Sequence, residues 1–150
     1  MQNDLAIHLQ SGSKKQIRFR HGSTNSTRPK EHSKYKMIDT SFLNEIISID
    51  PQKKIAIVES NVPMDQLLAA TLQYNLMPQV VVEFPGITVG GAVQGAALES
   101  SSFRYGQFDD GCLAYEVITA DGVRRIKNSP DPLSFDFTPY HKDPSMIHFG

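Results

Sequence analysis

The chain has 150 residues, of which 39% are apolar and 21% charged, with a formal net charge of −1. That length supports one globular core and is tight for two, and the near-neutral balance excludes both global disorder and a supercharged nucleic-acid binder. The single cysteine, Cys112, excludes an intramolecular disulfide framework and a cysteine-built zinc site, and it points to a reducing, cytoplasmic setting.

In chain order, the polar N-terminus carries no signal-peptide core, and residues 4–11 predict a short helix ahead of Gly12. Gln16 to Arg20 alternates as a strand, with Ile17 and Phe19 on one face and Arg18 and Arg20 on the other, and runs into a hydroxyl-rich loop. Ile46–Ile49 and Ile55–Val58 flank Asp50-Pro51-Gln52-Lys53, a strand–turn–strand pattern. The clearest helix follows. Asn61 is placed to cap it, Pro63 suits its first turn, and Met64, Leu67, Leu68, Leu72 and Leu76 recur at helical spacing, an apolar face expected to pack on a sheet. Pro78 is expected to end this helix, and Val80 to Val82 predict a short buried strand.

The segment from Thr88 to Ala97 is glycine-rich but can open a helix near Thr88. Tyr115–Ala120 and Val123–Ile126 flank Asp121-Gly122, a strong hairpin signal. From Asn128 the chain carries Pro130, Pro132, Pro139 and Pro144 without an apolar period, and a poorly ordered tail over 128–150 is expected. No run approaches the ~20 apolar residues of a membrane span. Strands alternating with one long helix predict a mixed α/β or α+β domain.

Two asymmetries stand out. Residues 14–36 hold eight cations (Lys14, Lys15, Arg18, Arg20, Arg28, Lys30, Lys34, Lys36) against Glu31 alone, a local +7 in a chain of net −1. Five of the ten glycines (Gly86, Gly90, Gly91, Gly95, Gly106) fall within 21 residues. Dense small residues let a backbone approach a ligand or a neighbouring helix closely. Two segments are therefore candidates for holding an anion by backbone groups: Arg20 through Arg28, and Gly86 through Gly91. Neither is a P-loop, because no Lys-Ser/Thr follows the glycines, and neither carries Gly-x-Gly-x-x-Gly. His8, His21, His32, His141 and His148 show no metal-ligand spacing, and no metal is expected. The Asp109-Asp110 pair is expected to face solvent, and Cys112 to behave as a small buried hydrophobe. The basic arm interleaves only Phe19 and Tyr35 and the rest of the chain is acidic, which argues against nucleic acid as a partner.

The stretches RFRHGSTNSTR, VESNVPMDQLLAATLQYNLMPQVVVEFPGITVGGAVQGAALESSSFRYGQFDDG and YEVITADG together resemble the FAD-binding domain of the p-cresol methylhydroxylase and vanillyl-alcohol oxidase superfamily. Within it they resemble most the delta-24 sterol reductase group and its fungal relatives. The resemblance implies an α+β fold, with a partial FAD-binding domain over 1–127, a divergent tail over 128–150 and no substrate domain. It implies that Arg20, His21, Gly22, Ser23, Thr24, Asn25 and Ser26 belong to the pyrophosphate loop. It also places Thr88, Val89, Gly90, Gly91, Gly95, Glu99, Ser100, Ser101, Tyr105 and Gly106 along the second FAD-binding stretch. Many superfamily members attach flavin through a histidine near the end of the first loop. Asn25 stands at that position here, with His21 four residues earlier, so the resemblance implies non-covalent FAD.

The activity implied is that of an FAD-dependent oxidoreductase, or its cofactor-binding portion, reducing a carbon–carbon double bond of a small hydrophobic sterol, terpenoid or secondary metabolite. The family's proton donor belongs to the domain not expected in this chain, so no catalytic side chain is assigned. The alternative is a truncated, non-catalytic remnant or a fragment that needs a partner, because an incomplete sheet leaves an unpaired edge and exposed apolar surface.

Overall fold

A computed structural model describes residues 17–20, 22, 36–119, 122–127 and 146–147. The fold is mixed helix and strand, built from three small sheets and short helices. Strand β1 (Ile17–Arg20) pairs in parallel with β2 (Lys36–Asp39), from Ile17 opposite Lys36 to Arg20 opposite Asp39. Strands β3 (Ile46–Asp50) and β4 (Ile55–Val58) form the expected antiparallel hairpin. Its turn closes because the Asp50 carboxylate accepts the amides of Gln52 and Lys53, both at 3.0 Å, and Lys54 adopts φ 56°. Strands β5 (Ala114–Thr119) and β6 (Gly122–Lys127) pair from Ala114 opposite Lys127 to Thr119 opposite Gly122, as the Asp121-Gly122 signal predicts. Met146–Ile147 (β7) pairs antiparallel on the other edge of β5. The helix expected over 4–11 and most of the 128–150 tail lie outside the described residues.

Helix α1 (Met64–Leu72) forms where periodicity places it, yet its ends differ from expectation. Asn61 does not cap it. The N-cap position is Pro63, and the amides of Met64 and Asp65 are taken by the carbonyls of Ile87 (2.8 Å) and Pro85 (3.2 Å). Asn61 is thereby released to turn inward. The helix also stops before Pro78, because Asn75 enters the left-handed region at φ 56°. Asn75 N then donates to Leu72 O (3.0 Å) and Leu76 N to Thr71 O (3.1 Å), a paired closure that leaves Leu76 beyond the helix.

The buried stripe is Met64, Leu67 and Thr71, while Leu72 is 52% exposed. Threonine is tolerated inside because its hydroxyl donates back to the carbonyls of Leu67 and Leu68. Val62, Met64, Leu67, Val80, Val82, Ala92, Val93 and Phe108 make one core cluster, with Ile46 and Val58 of the hairpin packed at its margin. Thus the cluster that α1 joins is drawn mainly from helices and loops, with Ile46, Val58 and Tyr115 of the strands packed against it. Val80 and Val82 are buried as expected, but the segment joins no ladder among the described residues. Side chains bond its flanking backbone instead: Ser101 Oγ donates to Gln79 O (2.8 Å), and Glu83 N donates to Glu99 Oε1 (3.1 Å).

Helix α2 (Val89–Gln94) starts at Thr88, whose Oγ1 accepts Gly91 N at 3.1 Å, matching the expected opening. Helix α3 (Ser102–Tyr105) and a 3₁₀ turn (Phe108–Gly111) follow. That turn buries Asp109 at 8% exposure beside Phe108, so the Asp109-Asp110 pair does not face solvent as a unit. Cys112 is half-buried at the core margin, its Sγ 3.6 Å from Phe108 O. Burial pushes its thiol up, and Asp109 and Asp110 push the same way against a hydrogen bond from Tyr115. Labelling with iodoacetamide at pH 8 is therefore expected to run several-fold slower in the folded chain than in denaturant. Equal rates would overturn the burial. Because the folded state holds this proton more tightly, the contribution to stability is complete below the unfolded thiol's pKa and is lost as pH rises through the folded one.

Candidate functional site

Residues from both predicted segments meet at a polar junction between β1, β2, the end of β4 and the start of α2. Arg20 ends β1, and its carbonyl accepts both the amide (2.8 Å) and the hydroxyl (3.1 Å) of Thr40. Gly22 follows at φ +78°, a conformation that favours glycine, with 3.5 Å between a Cβ built there and Ser41 Cβ. His21, Ser23, Thr24, Asn25 and Ser26 lie outside the described residues. Asp39 faces Arg20 at 4.0 Å, with both side chains more than half exposed, so this ion pair is weak. The Asp39 carboxyl is held below its ordinary range chiefly by the Ser41 hydroxyl (2.6 Å) and amide (2.9 Å), with Arg20 adding to the same effect.

From Thr40 the junction continues inward. Asn61 is buried, and its Nδ2 donates to Thr40 O and approaches Thr40 Oγ1 at 3.4 Å. The neighbouring Ser60 carbonyl accepts Gly90 N at 2.7 Å. The chain of contacts Arg20–Thr40–Asn61, continued by Ser60–Gly90, therefore ties the start of the first loop to the second segment. The sequence itself gives Thr40, Ser60 and Asn61 no part in a cofactor site. Thr40 and Ser60 lack any local signal, and Asn61 reads as a helix cap because it precedes a proline-started helix.

The second segment offers shape more than free donors. Val89 N bonds Val62 O (2.9 Å), Gly90 N bonds Ser60 O, and Gly91 N bonds Thr88 Oγ1. Amides that a helix start usually leaves unmet are thus engaged inside the fold. A Cβ on Gly91 would lie 3.0 Å from Thr88 Oγ1, and one on Gly95 would lie 3.0 Å from Gly91 O. Smallness at 91 and 95 is accordingly favoured by the fold itself.

Further along, Glu99 receives Glu83 N and gives its own amide to Ser102 Oγ (2.9 Å), while Ser101 holds Gln79. Ser100 is exposed, and Tyr105 carries the Arg104 guanidinium 5.3 Å from its ring centre. Gly106 closes α3 at φ +77°, against Asp110. These residues form one loop beside the core, tied to Gln79 and Glu83. Among the described residues, no group of three His, Cys, Asp or Glu could hold a metal, and no helix is long and apolar enough to cross a membrane.

A dinucleotide fits the junction on three observations. A cation stands at its mouth (Arg20), the backbone is left-handed where the loop begins (Gly22), and two buried polar atoms, Ser60 Oγ and Asn61 Oδ1, have no hydrogen-bond partner among the described residues.

Comparison with known proteins points to FAD as the cofactor. Residues 5–126 match the family described as FAD binding domain. The chain is 42% identical over 85 residues to the pea Delta(24)-sterol reductase, covering 57% of this chain and 15% of that protein. It is 40% identical over 80 residues to the human Delta(24)-sterol reductase, covering 53% and 16%. The Decaprenylphosphoryl-beta-D-ribose oxidase of Mycolicibacterium smegmatis is 33% identical over 98 residues, covering 65% and 21%. The matched segment is thus a small part of each relative's length.

Proposed function

The chain belongs to the FAD-binding-domain family, and from that premise we propose that it is the cofactor-binding portion of an FAD-dependent oxidoreductase acting on a carbon–carbon double bond. The substrate proposed is a sterol or terpenoid, in keeping with relatives whose names are sterol reductases. The observation that carries the reading is the hydrogen-bonded junction running from Arg20 through Thr40 and Asn61 to the Ser60–Gly90 contact. Arg20 and Gly22, with His21 and Ser23 to Ser26, hold the diphosphate. The stretch of Thr88, Val89, Gly90, Gly91, Gly95, Glu99, Ser100, Ser101, Tyr105 and Gly106 lines the remainder of the cofactor. The flavin, held non-covalently, supplies hydride transfer, and the protein's part is to bind and orient it. Cations near the loop counter the diphosphate charge, and close backbone approach excludes water from it.

Titration with FAD, followed by flavin fluorescence and melting temperature, tests the reading. Wild-type chain should bind saturably and melt higher with FAD. Arg20→Glu with Arg28→Glu should weaken binding by about 10-fold or more, as expected for loss of charge-assisted contacts. An unchanged affinity would remove the loop assignment. Gly91 is a poor probe for this purpose, since a side chain there meets Thr88 Oγ1 and disturbs the α2 cap.

A second reading, a non-catalytic or partner-dependent fragment, is favoured by apolar surface. Ile47 and Ile57 on the β3–β4 hairpin are 61% and 55% exposed, and Phe103 is 91% exposed. A folded monomer that binds FAD alone would set this reading aside. Aggregation relieved only by a partner would favour it.

A further inference from the structure

Ser60 and Asn61 are consecutive residues between β4 and α1, and neither role assigned to them so far uses the whole side chain. Asn61 is 5% exposed. Its amide orientation follows from two acceptors: Thr40 O, and Thr40 Oγ1, whose own hydrogen goes to Arg20 O. Turning the amide over would set Oδ1 against both acceptors, so Nδ2 faces Thr40 and Oδ1 faces away. There Oδ1 is buried without a partner among the described residues, and so is the neighbouring Ser60 Oγ. Two unmet groups on consecutive residues, where the two segments are tied together, are a demand for hydrogen bonds that a bound molecule can meet.

The chemistry of that molecule is constrained. An amide oxygen accepts only, and a diphosphate carries no hydrogen to offer it. Resting on the cofactor reading above, we propose that Asn61 Oδ1 and Ser60 Oγ contact the hydroxyl- or N–H-bearing parts of the dinucleotide, and so form a contact separate from the diphosphate loop. The bound dinucleotide supplies the donor to Asn61, and Ser60 exchanges a second bond with it. Thr40 acts as the positioning residue, because it fixes which way the Asn61 amide faces.

The test uses Ser60→Ala and Asn61→Ser in the full chain, with FAD, riboflavin and ADP as separate titrants. Ser60→Ala removes a buried hydroxyl that lacks a partner, so its melting temperature without ligand should equal or exceed wild type by up to about 4 °C. Its FAD affinity should nevertheless fall by about 3–10-fold, the size of one neutral hydrogen bond. Asn61→Ser keeps a hydroxyl able to reach toward Thr40 O while removing Oδ1, and should lose FAD affinity by a similar factor. Riboflavin and ADP identify which half carries the contact, because only that half should show the loss. If both variants bind FAD within twofold of wild type while Ser60→Ala melts lower, the groups are satisfied inside the fold and the inference is overturned, with the cofactor reading intact. If wild type binds none of the three, the cofactor reading falls and takes this inference with it.

Discussion

Replacing Gly106 by alanine is expected to destabilise the chain by about 2–4 kcal/mol. Gly106 sits at φ 77° and ψ −153°, a region essentially reserved for glycine, where another residue carries roughly 1–3 kcal/mol of strain. Steric overlap adds to this, since the new Cβ would fall 2.1 Å from Asp110 Oδ2. That oxygen accepts Gln107 N at 2.7 Å as half of the capping box that starts the Phe108–Gly111 turn. Moving Asp110 aside therefore gives up the cap, worth about 1 kcal/mol. Phe108, buried at 7% exposure, follows directly on this cap, so the disturbance reaches the core. For a chain of this size the melting temperature should fall by roughly 5–15 °C. Asp110→Ala alone should cost only its cap. Gly106→Ala/Asp110→Ala should then be more stable than the sum of the single changes predicts, because the overlap is gone and the strain remains. A Gly106→Ala chain melting within a degree of wild type would show that the turn does not need the left-handed backbone.

The second large effect lies in α1. Met64→Ala is expected to cost about 2–5 kcal/mol, and Leu72→Ala about 0.5 kcal/mol or less. Met64 is 1% exposed and packs in the cluster with Val62, Val82, Ala92 and Val93. Truncating it leaves a cavity where α1, α2 and the Val80–Val82 segment meet, and that segment has no ladder to hold it once packing is lost. Leu72 is 52% exposed at the last residue of α1, so little changes when it is shortened. Urea denaturation of both variants checks the contrast. Equal losses would mean that Leu72 is covered as fully as Met64.

Those two leucine-stripe positions show where sequence pattern was informative and where it ran out. The spacing of Met64 and Leu67 does report a buried face, and the Asp50-Pro51 and Asp121-Gly122 turns do report hairpins, because these signals are local. Thr88 opens α2 for the same reason. Leu72 and Leu76 look equivalent to Leu67 in a periodic count. Asn75 nevertheless ends the helix early, and Thr71 takes the inward position by bonding to its own turn. Val80 and Val82 read as strand from composition, yet their neighbours' backbone partners are the side chains of Ser101 and Glu99, about 20 residues away. Asn61 shows the limit most clearly. Its sequence position suits a cap, and only the arrival of Ile87 O and Pro85 O at the helix start frees it for Thr40. The two glycine-bearing segments were recognisable by their residues, whereas the polar junction between them depends on Thr40 and Ser60, which local sequence leaves anonymous.

The pairing of β7 with β5 bears on the order in which the chain assembles. The β5–β6 hairpin closes between Thr119 and Gly122, whereas β7 reaches the same strand only by bringing Met146 back to Thr119, 27 positions away. Closing the longer interval forfeits more chain entropy, and β7 returns only two residues of pairing for it. The hairpin is therefore expected to form first, with β7 docking onto a finished edge. On a ribosome, the described residues that pair with that edge, Met146 and Ile147, emerge some 20 residues after the hairpin's own last residue, Lys127. Opening is expected in the reverse order, so amide exchange should be faster on the β7 side of β5 than on its β6 side.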